Sequence, residues 1–207
     1  FDILAERFSK QLEQGKRRFR IWSAGCSSGQ EPYSIAITLL EVLRKTGRHT
    51  ASLDIRILGT DISTKVLAAA NIGEYQESKV QSVPSWYLRK YFTSSKDVKG
   101  RKVWTVCDSL KRLVLFRRLN ISRHPFPLRG PMDYIFCRNT MIYFDNAIRQ
   151  GLVSEFQRLQ NAEGLLFVGH SESLTGFDSE YISEKPSVYR LISRTADRAE
   201  RVQILQE

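Results

Sequence analysis

Phe19-Arg20-Ile21-Trp22-Ser23-Ala24-Gly25-Cys26-Ser27-Ser28-Gly29 is the stretch whose reading decides the fold. Residues 19–24 form an apolar run of the length of a buried strand. Gly25 to Gly29 are all small, so the backbone there can turn sharply and let a ligand approach closely. A helix follows from Glu31 to about Arg44, with Pro32 in its first turn, where proline is tolerated. Its apolar residues Ile35, Ile37, Leu39, Leu40, Val42 and Leu43 run nearly all round, which predicts burial. Strand, small-residue turn and buried helix in that order form one unit of a parallel sheet.

The same pattern recurs on either side. Residues 3–14 read as a helix with Ile3, Leu4, Phe8 and Leu12 on one face. Ile55–Asp61 is a second strand, after which Ser63 caps a helix carrying Val66, Leu67 and Ala70. Pro84 opens a short helix over 84–92, and the charged, alternating residues 93–113 read as a hairpin turning at Lys99-Gly100. Val114-Leu115-Phe116 leads into Asn120. Met132–Cys137 is a strand, Asp145–Leu159 a helix striped by Ile148, Leu152, Phe156 and Leu159, and Leu165–Gly169 and Val188–Ile192 are the last strands. The expected fold is α/β and Rossmann-like, a mostly parallel sheet with helices on both faces. Ligands in such folds sit beyond the carboxyl ends of the strands. That position singles out Gly25–Gly29, Asp61, Asn120, Arg138-Asn139 and His170.

Bulk properties narrow the function classes. A chain of 207 residues fits one such domain with an inserted piece. No apolar run approaches the roughly 18–20 residues that span a bilayer, and no charged-then-apolar leader opens the sequence. Cys26, Cys107 and Cys137 are odd in number and widely spaced, which suits free thiols in a reducing, cytoplasmic compartment. His49, His124 and His170 lack metal-ligand spacing, so no metal is expected. The whole net charge of +10 lies in residues 84–130, where twelve Lys or Arg face only Asp97 and Asp108. Such a block reads either as a docking surface for an acidic partner or nucleic acid, or as a solvated face.

The candidate site residues each carry two readings. The turn at 25–29 has neither the G-x-G-x-x-G of dinucleotide sites nor the G-x-x-x-x-G-K-[ST] of a P-loop, which leaves a cofactor without pyrophosphate or a plain strand-to-helix connection. Asp61 either accepts hydrogen bonds from ribose hydroxyls or caps the next helix. Glu31 either completes a capping box with Ser28 or places negative charge near a cationic ligand. In Arg138-Asn139-Thr140-Met141-Ile142-Tyr143-Phe144, an Asn can contact cofactor and a Tyr can reach substrate. The [DNS]-P-P-Y and Pro-Cys motifs of DNA base methylation are missing there.

Four segments resemble the chemoreceptor glutamate O-methyltransferases of the CheR family. They are Phe19 to Ser34, Gly59-Thr60-Asp61-Ile62-Ser63, Cys137 to Asp145, and Gly164 to Ser173, in the family's order. The resemblance implies a class I methyltransferase domain over 1–194, with a small antiparallel β-subdomain inserted at about 93–118 and a charged tail over 195–207. It implies transfer of a methyl group from S-adenosylmethionine to receptor glutamates, giving the γ-methyl ester and S-adenosylhomocysteine for chemotaxis adaptation. Gly25, Glu31, Asp61, Asn120, Ile121, Arg138 and Asn139 are then the expected cofactor residues, and Tyr143 the expected catalytic residue near the transferred methyl.

The expected partners are acidic cytoplasmic helices of chemoreceptors, and in some members of the family a receptor tail peptide at the β-subdomain. A monomer is expected, without nucleic acid or membrane insertion. The family's N-terminal helical domain is expected to lie outside this sequence, Phe1 falling just after its linker. A nucleic-acid methyltransferase, favoured by the basic block, and a non-catalytic cofactor-binding module are the competing readings.

Overall fold

The computed structural model describes residues 1–192, which fall into two compact units. The first takes in 1–19 and 25–119, and the second takes in 20–24 and continues from 120. The expected tail at 195–207 lies outside the described residues. No described helix is long and apolar enough to cross a membrane.

In the first unit, α1 (Asp2–Glu13) packs Leu4, Phe8 and Leu12 inward, and the Phe8 ring meets Phe19 edge-on at 4.6 Å. Strand β1 (Arg18–Ala24) starts here, and the turn after it leads to α2 (Gln30–Lys45). Then come β2 (Asp54–Asp61) and α3 (Thr64–Ile72), whose N-cap Ser63 accepts from the Val66 amide. Next are β3 (Glu74–Gln76), α4 (Glu77–Val80), α5 (Ser85–Tyr91), β4 (Phe92–Lys96), β5 (Lys102–Val106), α6 (Asp108–Lys111) and β6 (Val114–Arg118). The strand order is β6-β2-β1, and β2 pairs with β6 in parallel, Gly59 opposite Phe116. A separate small sheet has the order β3-β5-β4 and is antiparallel throughout.

The expected insertion over 93–118 is therefore drawn differently. The small sheet reaches back to Glu74 and ends at Val106, while Val114–Arg118 pairs with β2. The expected hairpin at Lys99-Gly100 is present, and Asp97 closes it by accepting from the amides of Lys99 and Arg101 at 2.9 Å.

In the second unit, Arg20–Ala24 of β1 pairs in parallel with β7 (Met132–Cys137), which is buried along its whole length. Helix α7 (Asn146–Leu159) follows, capped by Asp145, which accepts from the Ile148 amide at 2.9 Å. Then come β8 (Gln160–Val168), β9 (Tyr181–Lys185) and β10 (Val188–Leu191), in the order β1-β7-β8-β10-β9. β7 and β8 are parallel, whereas β10 is antiparallel to both β8 and β9. Trp22 is fully buried and meets the rings of Phe126 and Phe156 edge-on at 5.5 Å. The α/β fold expected from the sequence is the one observed, seven strands in a mostly parallel arrangement with helices and a small antiparallel sheet beside it.

Candidate functional site

The turn between β1 and α2 is closed by its own backbone. The Gly25 and Cys26 amides both donate to the Thr60 carbonyl, at 2.8 and 2.9 Å, and the Gly29 amide donates to the Cys26 carbonyl at 3.0 Å. The Ser27 amide donates to Asp61 Oδ2 at 3.0 Å. Gly29 is the helix N-cap at φ +89°, and a Cβ there would stand 2.9 Å from Ala70 Cβ, so only glycine fits. These four amides are spent on the protein and do not point outward at a ligand.

What the turn offers a ligand is negative charge. Asp61 ends β2 half-buried, its Oδ1 accepting from the Ser63 amide at 2.9 Å and its Oδ2 from Ser27. A carboxylate has about four lone-pair sites, so capacity is left for hydroxyl donors. Asp61 therefore does not cap α3, whose N-cap is Ser63; it braces the turn. Glu31 is half-buried in the first turn of α2. The capping box expected for Ser28 and Glu31 does not form: the N-cap is Gly29, with no side-chain cap bond, and Ser28 Oγ donates to Gln30 Oε1 at 2.8 Å. Burial, reinforced by the charges of Asp61 and Glu31, pushes the Cys26 thiol up to about 12. Both carboxylates therefore act on one spot of the turn.

In the second unit, Asn120 folds its side chain back, Oδ1 accepting from the Ser122 amide at 3.0 Å and the Ser122 hydroxyl at 2.8 Å. Ile121 beside it is buried. Arg138 and Asn139 follow β7 directly, and Asn139 adopts φ +56°, a left-handed conformation that Asn tolerates better than most residues. Tyr143 ends the short 3-10 turn Met141–Tyr143 and is 79% exposed, so its hydroxyl is presented to solvent rather than packed.

A residue to which the sequence reading gives no role organises this loop. Glu172 is buried, and its carboxylate accepts from the amides of Asn139, Thr140 and Met141 at 2.8, 2.9 and 2.8 Å. It also accepts from Gly169 at 2.6 Å and, more loosely, from Ile142 at 3.3 Å. Gly169 is required for this: a Cβ there would lie 2.6 Å from Glu172 Oε2. The one sequence signal is an acidic side chain three residues past the glycine that ends a buried strand. His170, singled out by its place after β8, is exposed.

With this geometry in view, the comparison with known families is decisive. The family model described as "CheR methyltransferase, SAM binding domain" matches residues 1–189. The chain belongs to the CheR methyltransferase family. Among its CheR relatives, a probable chemotaxis protein methyltransferase of Rhizobium etli is 41% identical over 179 residues, covering 85% of this chain and 65% of the relative. That of Borreliella burgdorferi is 38% identical over 189 residues, covering 91% and 64%. That of Escherichia coli is 35% identical over 190 residues, covering 90% and 64%. The chain thus spans just under two thirds of the length of these curated relatives.

The cofactor of this CheR domain is S-adenosylmethionine. The first unit's residues fit it, since Asp61 and Glu31 place two carboxylates at the turn, acceptors suited to hydroxyls and to positive charge.

Proposed function

We propose that this chain is the catalytic part of an enzyme that methylates glutamate side chains on chemoreceptors. The observation that carries the reading is the turn at Gly25–Gly29 with the carboxylates of Asp61 and Glu31 beside it, in a chain matched to its family over 1–189. When bound, S-adenosylmethionine supplies a methyl group made electrophilic by the sulfonium. Asp61 accepts from the ribose hydroxyls, and Glu31 sets negative charge toward the cofactor's cationic part. Gly25, Asn120, Ile121, Arg138 and Asn139 complete the cofactor-binding set. Tyr143 orients the acceptor carboxylate.

The chemistry asks little more of the protein. A glutamate carboxylate has an unperturbed pKa of about 4.3 and is already ionised at neutral pH, so no general base is needed. Positioning and exclusion of water carry the rate. The basic segment 84–130 meets the partner: eleven of its twelve cations are exposed, and Lys111 is half-buried. Its partner is an acidic receptor helix bundle or tail.

The test is methyl transfer from labelled cofactor by the whole enzyme. Label in receptor glutamates as a base-labile ester supports the reading. Label in RNA would replace it with nucleic-acid methylation. Cofactor binding with no transfer to either would leave a non-catalytic binding module.

A further inference from the structure

We infer that Glu172 is a positioning residue for methyl transfer, acting through the main chain of residues 139–142. Four of its bonds are 2.9 Å or shorter, two to each carboxylate oxygen, and the fifth, from Ile142, shares Oε1 at 3.3 Å. That fills the roughly four lone-pair sites a carboxylate has. Glu172 therefore has no capacity left to take a proton from a substrate or to hold a ligand, and its role is exerted on the loop. The loop is fixed from its other side as well, because Arg149 Nε donates to the Met141 carbonyl at 2.9 Å. Met141 is thus held at both of its backbone groups, at the buried start of the turn that presents Tyr143.

Charge-assisted bonds of this kind are about twice as strong as neutral ones. They also hold Asn139 in its left-handed conformation, which costs energy for any residue with a Cβ. A glutamine at 172 would keep the shape but replace one acceptor oxygen by an NH2 donor that faces amides. The oxygen lost would release either Gly169 and Asn139 or Thr140 and Met141.

This inference rests on the methyltransferase reading above, and its test separates the two. In the whole enzyme, Glu172→Gln is expected to lower kcat about 10- to 100-fold, with the cofactor KM rising by a smaller factor through the loosened Asn139. Glu172→Ala is expected to regain part of its kcat with added acetate but not with acetamide, which a merely structural side chain would not show. In the wild type, the amides of Asn139, Thr140, Met141 and Gly169 should exchange slowly with solvent, and those that the glutamine can no longer accept should shift in the Gln variant.

A Gln variant with wild-type kcat, no acetate rescue, or fast exchange of those amides in the wild type would overturn the inference. Wild-type exchange is readable even if both variants fail to fold. Should the wild type transfer no methyl group to receptor, the functional reading fails, while the amide data still decide whether Glu172 holds the loop.

Discussion

Tyr75 donates its hydroxyl to the main-chain carbonyl of Ser28 at 2.8 Å, which ties the small sheet to the cofactor turn. Burial pushes the Tyr75 phenol well above its usual range, so it stays a donor at any physiological pH. Tyr75→Phe removes one half-buried bond, worth roughly 0.5–1.5 kcal/mol. The expected outcome is a folded protein that binds S-adenosylhomocysteine about 2- to 10-fold more weakly, read by calorimetry. Unchanged affinity would mean that the turn keeps its shape without the tie.

Asp61→Ala should weaken cofactor binding further. Charge-assisted bonds to ribose hydroxyls are worth on the order of 1.5–3 kcal/mol, or about 10- to 150-fold in the dissociation constant. The alanine also frees the Ser27 and Ser63 amides, so Asp61→Asn is the companion variant. The asparagine keeps one acceptor oxygen and should fall between wild type and alanine. A folded alanine variant with wild-type affinity would remove Asp61 from the ribose site.

Tyr143→Phe, in the whole enzyme, should lower turnover while leaving cofactor affinity nearly unchanged. The ring stands on an exposed turn with no packing role to lose, so stability should not move. Normal turnover at saturating cofactor together with weaker cofactor binding would reassign the residue.

The basic segment should make receptor methylation salt-sensitive. Steering between exposed charges is screened over about 8 Å at physiological ionic strength. Initial rates toward receptor should fall as salt rises, with cofactor affinity steady. Reversing Lys99, Arg101 and Lys102 to Glu should reproduce that loss at low salt. Arg101 already pairs with Asp97, and Lys102 with Glu77, but both are exposed pairs of small worth. Equal low-salt rates for wild type and triple variant would leave the segment a solvated face.

Glu41 gives the fold an acid limit. Burial alone would raise its carboxyl, but bonds from Lys90, Tyr91 and Arg44 outweigh burial and hold it down to about 2. A carboxyl with a lowered folded-state pKa adds stability above its unfolded value, near 4.5, and loses that share as pH falls toward 2. Urea midpoints should therefore be higher for wild type than for Glu41→Gln at pH 7, and the gap should close between about pH 4.5 and 2. A gap that stays constant across that window would mean the ion cluster is not what the variant removes.

The sequence was most readable where apolar runs are long and buried. Met132–Cys137 is buried at every position, and no other element type suits such a run between turn signals. β3 escaped because it has only three residues, of which Tyr75 alone is buried. Val114–Arg118 passed for part of the charged insertion because it is the edge strand of its unit and buries only Phe116. Asp61 and Tyr143 were singled out by their places at the end of β2 and after β7. The part played by Glu172 was not, because its partners are main-chain amides some thirty residues away, and amides leave no mark in side-chain identity. The capping box at Ser28 and Glu31 misled for the complementary reason. Its spacing is right, but Gly29 takes the N-cap because α2 starts within van der Waals reach of Ala70 and Phe116.

Cys26 gives the turn a chemical consequence. An alkylating cofactor is a hazard to the protein that holds it, since sulfur is the nucleophile such a methyl group prefers. The thiolate is the reactive form. With its thiol pushed up to about 12, Cys26 is ionised in only roughly one molecule in 100,000 at pH 7. Burial first, and then the negative charge that suits a sulfonium, hold this sulfur in its unreactive thiol form. The turn is in that sense self-protected, and the methyl group is kept for the acceptor rather than lost to the domain that carries it.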